Sequence, residues 1–181
     1  GALLAEPAWR GITSVRPTGT RHELPDLDYA PLVPKPDKIV CVGANYRDHI
    51  AEMGHDFPKF PTLFPKYALS LTGAFDPIPL PPESDRVDWE VELTVVIGER
   101  VRRASPEQAA RAIAGYTVAN DVSMRDYQRN TPQFLAGKIW EACSPVGPWM
   151  VVAEPGDPPP ALPIRSTIDG EVMQSSNTDQ L

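Results

Sequence analysis

Proline recurs through this chain at a density that leaves little room for long helices: 22 of 181 residues, roughly twice the usual share of about 5%. Proline lacks an amide proton and clashes with the preceding turn, so helix interiors and central strands exclude it. Such a chain must be built from short elements joined by fixed loops, which excludes a helical bundle. Apolar residues make up 41% and charged residues 23%, enough for one packed domain with a short appendage. The formal net charge is -7. An acidic surface repels phosphate backbones, so nucleic acid is not an expected partner. No run approaches the roughly 20 apolar residues needed to cross a bilayer, and a membrane partner is not expected. The opening segment "GALLAEPAWRG" also lacks the basic start and apolar core of a secretory signal. Cys41 and Cys143 are the only cysteines. They read as free thiols in a reducing, cytoplasmic setting.

Residues 1–36 show little periodicity and end in a Pro-x-Pro at Pro34 and Pro36, an extended approach to the first apolar run. That run, "KIVCVG" (38–43), is short, β-branched and closed by glycine, which predicts a buried strand. "NYRDHIAEMG" predicts a helix over 46–53 with Gly54 as its stop. The Pro-bracketed "FPTLFPKYALSLTG" and "DPIPLPP" read as extended and irregular. Ser105, Pro106 and Gln108 form a capping box around a proline in the first turn. They predict a helix whose apolar face is Ala109, Ala112 and Ile113, ending at Gly115. "YTVAND" reads as a strand, "MRDYQR" as a helical turn, and "SPVGPWMVVAE" as another strand. Asp169-Gly170 is the strongest two-residue hairpin signal in the chain. The class expected is mainly β with a few short helices, a mixed sandwich, roll or barrel.

Chemistry concentrates in "DWEVELTVVIG". Alternate residues on a strand share a face, so Glu90 and Glu92 project together from a run that becomes apolar on both faces at Val95–Ile97. A solvated strand face would account for the pair. If the strand is covered, the two carboxylates repel, and a hard dication is the simplest compensation. Asp121, at the end of "YTVAND", could supply a third oxygen ligand or simply cap the next turn. His49 and Glu52 are three apart, so a helix puts them on one face. There Glu52 could orient His49 as a general base, or the two could be surface neighbours. Lys138, between small and apolar residues, either snorkels or serves as a fixed cation. A glycosidase carboxylate pair is a further reading of Glu90 and Glu92, but few aromatic residues lie near to stack on sugar rings.

Taken in order, "KIVCVGANYRDHIAEMG", "VDWEVELTVVIG", "GYTVANDVSMRDYQ", "GKIWEACSPVGPW" and "IDGEVMQSSNT" resemble the fumarylacetoacetate hydrolase family. The resemblance runs from about Asp37 to Leu181, leaving 1–36 as an extended segment or the remnant of a small N-terminal domain. It implies a mixed β-sandwich roll over 37–181, of the family's C-terminal domain type and lacking its last part, and a homodimer. It also implies one divalent cation (Mg²⁺ or Mn²⁺, or Ca²⁺ in crystals) held by Glu90, Glu92 and Asp121. His49 and Glu52 match the family's His-x-x-Glu dyad, Lys138 its lysine after glycine, and Arg125 and Gln128 its substrate-binding polar pair. The implied substrate is a 2-oxo acid or 1,3-diketone, and the implied reaction is C–C bond hydrolysis through an enolate. Decarboxylation or keto–enol isomerisation would proceed from the same enolate. A catalytically silent binding module that keeps the fold is the alternative. Tyr67 departs from the prolines and serines usual after "LFPK", which bears on substrate range.

Overall fold

The computed structural model of the chain describes residues 7–54 and 56–181, so the first six residues of the expected 1–36 segment lie outside the described residues. In its first half the strands are β1 (Ile39–Gly43), β2 (Thr62–Lys66), β3 (Leu71–Gly73), β4 (Val87–Asp88) and β5 (Val91–Ile97). In its second half they are β6 (Ile113–Asn120), β7 (Ser123–Met124), β8 (Ser144–Val152), β9 (Pro163–Ile168) and β10 (Glu171–Asn177). The α-helices are short: α1 (Arg47–Glu52), α2 (Pro106–Arg111) and α3 (Arg125–Gln128), alongside an eight-residue 3-10 helix at Pro7–Ser14, in the segment expected to be extended, and several single 3-10 turns. The chain is mainly β with a few short helices, as the proline distribution demands.

The central sheet runs β3-β8-β6-β5, with β3 parallel to β8 and the other pairs antiparallel. Its inner face packs Val96 and Ala114 against Trp9, with Leu32, Val33, Met150 and Val152 around them. The segment before residue 37 therefore contributes to this core. A second cluster, Val122, Met124 and Cys143 with Ile78, Val87, Tyr127 and Trp140, lies beneath the turn after β6.

Three local expectations change. The stretch 62–73 is not irregular: β2 pairs antiparallel with β1, placing Pro65 opposite Val40 in a two-stranded ribbon whose free edge tolerates a missing amide. Gly115 does not stop a helix. The helix ends at Arg111, Ala112 caps it, and Gly115 lies inside β6, where an added Cβ would sit 2.2 Å from the Val151 carbonyl oxygen. Nor are both faces covered where β5 becomes wholly apolar. Val96 is buried, but Val95 and Ile97 are 44% and 53% exposed, and Val40 and Val42 of β1 are open as well. The capping box forms as read, with the Ser105 side chain accepting from Gln108 N. The hairpin turns at Asp169 and Gly170, both at positive φ.

Candidate active site

Glu90 immediately precedes β5 and Asp121 immediately follows β6, the strand paired with it. The Asp121 amide donates to the Glu90 carbonyl at 2.8 Å, so the two residues are neighbours across the pair. The Glu90 amide in turn donates to Asn120 Oδ1 at 3.0 Å, which fixes the entry to the strand. Glu92, opposite Ala119 in the ladder, accepts from Asn45 Nδ2 at 3.2 Å. Asn45 stands between β1 and α1, directly after Ala44, which takes a left-handed conformation with φ 50°.

Lys138 ties the carboxylates together. Its ammonium donates to Glu90 Oε2 at 2.6 Å and to Asp121 Oδ2 at 3.1 Å, and lies 5.3 Å from the Phe64 ring centroid. It is 1% exposed, so of the two sequence readings the fixed cation holds and the snorkelling lysine does not. The 3-10 turn Phe134–Gly137 delivers it. Gly137 lets that turn lie against α3, since a Cβ there would come 2.6 Å from the Gln128 backbone nitrogen.

Arg125 completes the cluster. Its Nε donates to Asp88 Oδ2 at 2.7 Å, and Nη1 donates to Glu90 Oε1 at 2.5 Å and to Gln128 Oε1 at 2.8 Å. Burial works against its charge, but Glu90 and Asp88 hold the guanidinium above its ordinary pKa. The guanidinium edge expected to clasp a substrate carboxylate is thus spent on Asp88, Glu90 and Gln128, leaving Nη2 outside these bonds. Glu90 is held on both oxygens, by Arg125 and Lys138.

Glu92 differs from its neighbours. Burial, with the charges of Glu90 and Asp121, pushes its carboxyl up to about 7, against the pull of Asn45 and Lys138. Its hydrogen-bond partner, Asn45, is neutral, so among the described residues no cation bonds to Glu92 directly. Tyr46, buried and, among the described residues, without a hydrogen-bond partner for its hydroxyl, lies close enough to Glu92 to be pushed up to about 12 by burial first and that charge second.

His49 and Glu52 share a face of α1, as their spacing predicts, with His49 Nδ1 3.8 Å from Glu52 Oε2. Both are exposed and neither bonds to the carboxylate cluster. Their helix is tied down at Asp48, whose Oδ2 accepts from Ser176 Oγ of β10 at 2.5 Å. The same hairpin braces the glutamate strand, because Gln174 Oε1 accepts from the Val91 amide at 2.9 Å.

Three partners escaped the sequence reading: Asp88, Lys66 and Asn45. Asp88 lies two residues before Glu90, and the alternation of an extended chain could have brought it in. Lys66 shares its strand face with Phe64, and both are buried. Its Nζ donates to Asp121 Oδ1 at 2.5 Å and to the Lys138 carbonyl, and lies 3.9 Å from Cys143 Sγ.

Among the described residues, no three His, Cys, Asp or Glu side chains are already gathered to hold a metal ion. The cation joining Glu90 to Asp121 is the Lys138 ammonium. The donor chemistry nonetheless suits a hard dication: Glu90, Glu92 and Asp121 offer only oxygen, and no described cation bonds to Glu92 directly.

The sequence pattern described as fumarylacetoacetate (FAA) hydrolase C-terminal matches residues 38–181. The chain belongs to the fumarylacetoacetate hydrolase family. Within that family it is 47% identical over 174 residues to a protein of Bos taurus named as a mitochondrial oxaloacetate tautomerase, covering 95% of this chain and 54% of the relative. A Homo sapiens relative of the same description is 44% identical over 183 residues, covering 100% and 57%. The chain therefore spans about half the length of these curated relatives. Among solved structures it resembles a 2-hydroxyhepta-2,4-diene-1,7-dioate isomerase from Mycobacterium marinum, with TM-score 0.76 and 34% identity over 90% of this chain and 59% of that one. It also resembles a fumarylacetoacetate hydrolase from Exiguobacterium antarcticum, with TM-score 0.74 and 35% identity over 84% and 55%. Family members so named are enzymes: a tautomerase, an isomerase and a hydrolase. The mainly β domain of the fumarylacetoacetate hydrolase family is the fold this chain adopts. No described helix is long and apolar enough to cross a membrane.

Proposed function

We propose that the site stabilises the enolate of a 2-oxo acid with the help of one divalent cation, and that keto–enol tautomerisation of a compound such as oxaloacetate is its reaction. The observation that carries this reading is the buried meeting of Glu90 and Asp121 on Lys138, with Glu92 beside them lifted to about 7. Glu90, Glu92 and Asp121 would hold Mg²⁺ or Mn²⁺. When bound, such an ion supplies Lewis-acid polarisation of the 2-oxo group. Lys138 would place its ammonium near the oxygen that gains electron density as the C3 proton leaves. Arg125 holds Glu90 in a fixed orientation and is itself braced by Gln128, and the pair would line the substrate's approach. His49, steered by Glu52, is the candidate acceptor of the C3 proton, and its return to the oxygen or carbon completes an exchange that consumes no water.

Tautomerisation is favoured over C–C hydrolysis on the ground of likeness: the Bos taurus and Homo sapiens relatives, at 47% and 44% identity, are named as tautomerases. The two free thiols, Cys41 and Cys143, support a reducing compartment such as the cytoplasm, and the family resemblance supports a homodimer.

The test is Mn²⁺-dependent interconversion of enol and keto oxaloacetate. Glu90→Ala should lower the metal-dependent rate by at least about a hundredfold, since Lewis-acid stabilisation supplies several kcal/mol. An unchanged rate would remove Glu90 from the reaction. Tight Mn²⁺ binding with no turnover of any 2-oxo acid would favour the silent binding module.

A further inference from the structure

Lys66 is a lysine that the chain has gone to some cost to bury. An ammonium leaves water only at a penalty of several kcal/mol, recovered when every proton finds an acceptor. At 6% exposure, Lys66 meets that condition: Asp121 Oδ1, the Lys138 carbonyl oxygen and Cys143 Sγ all lie within reach of Nζ. Methionine would fill the same space without that penalty, so packing alone does not explain a lysine. Two of the three acceptors belong to residues of the proposed site.

The two oxygens of Asp121 have different partners. Oδ1 faces Lys66 and Oδ2 faces Lys138. Lys138 also serves Glu90. Lys66 touches neither glutamate and has no proton left for a substrate. Its backbone position is fixed by the β1–β2 ladder, where it pairs with Ile39. Lys138, by contrast, hangs from the end of a short 3-10 turn, and its own carbonyl is held by Lys66.

We propose that Lys66 is a positioning residue that acts through Asp121 and Lys138. It fixes the rotamer of the aspartate by holding one oxygen, leaving the other oxygen to the reacting side of the site, and it anchors the backbone that carries Lys138. This rests on the reading of Asp121 as a cation ligand. A charged partner that orients a ligand in this manner sets how tightly the cation is held.

The test is Mn²⁺ affinity of the full chain, by calorimetry and by electron paramagnetic resonance of free Mn²⁺, for wild type, Lys66→Met, Asp121→Asn and the double variant. Lys66→Met should weaken Mn²⁺ about ten- to a hundredfold. The double variant should bind no more weakly than Asp121→Asn alone, because an effect exerted through Asp121 cannot be lost twice. Wild-type affinity in Lys66→Met, or losses that multiply in the double variant, would overturn the proposal while leaving the metal reading standing. Absence of Mn²⁺ binding by the wild type would overturn both. Should Lys66→Met not fold, Lys66→Arg decides: affinity near wild type supports charge-based positioning, and a loss of about tenfold or more overturns it.

Discussion

Glu92 shows how a single side chain reports on the charge around it. In the unfolded chain its carboxyl ionises near its ordinary value of 4.5, whereas in the fold it keeps its proton to about 7. Between those values the folded state binds more protons, so stability falls as pH rises through the window and levels off above it. Below about 4.5 both states are protonated and no stability is lost. For metal-free protein, chemical unfolding between pH 4.5 and 7 should show a decline on the order of a few kcal/mol. Glu92→Gln should flatten that decline, and an equal slope in the variant would show that the proton sits elsewhere. Asp76 and Asp126 behave oppositely. Thr72 and Ser84 hydroxyls respectively hold them below the usual carboxylate range, so their contribution is present above that range and is lost on acidification.

At the scale of elements, local chemistry decided where α2 begins and tertiary contacts decided where it ends, whereas α1 stops at Gly54, at positive φ, as its sequence signal requires. Ser105 caps α2 as its sequence signature requires, with the Gln108 side chain returning the bond to the Ser105 amide at 2.8 Å. Ser105→Ala should cost about 1 kcal/mol, the usual worth of an N-cap, read as a lower urea midpoint with unchanged slope. The helix nonetheless stops short of Ala112 and Ile113, because β6 draws Ile113 onward into the ladder opposite Ile97. A glycine that looked like a stop is a strand residue with a carbonyl pressed against it. The chain around 62–73 likewise adopts strands because β1 and β8 offer partners, and pairing across the sheet outweighs local proline content.

Across the whole molecule, the N-terminal segment and the central sheet share one core. Trp9 is 3% exposed against Val96 and Ala114. Gly98 makes room for it, since a Cβ there would sit 2.6 Å from the indole Cζ2. Arg10 fastens the segment from outside, donating to Glu99 and to the Arg111 carbonyl. Trp9→Ala should destabilise the fold by about 3–5 kcal/mol, as for other buried aromatic truncations, with the loss seen in calorimetric melting. A change below about 1 kcal/mol would place the segment outside the cooperative unit. The opposite face of the sheet stays open, with Val118 and Val151 49% and 66% exposed, in a chain that spans about half the length of its relatives.

Residue pattern alone was enough to set the class of fold and most strand and hairpin positions, because proline spacing, alternation and capping act over a few neighbours. It also drew attention to Glu90, Glu92, Asp121 and Lys138, since short segments with unusual charge in apolar surroundings are conspicuous, and Arg125 came in only through the family resemblance. What bonds to what was decided only in three dimensions. Lys66 lies 55 residues from Asp121 and Asn45 lies 47 from Glu92, separations over which no local pattern carries information. The engagement of Arg125 with Asp88 and Glu90, and the raised carboxyl of Glu92, arise because the burial of a group and the field on it sum over every element packed around it.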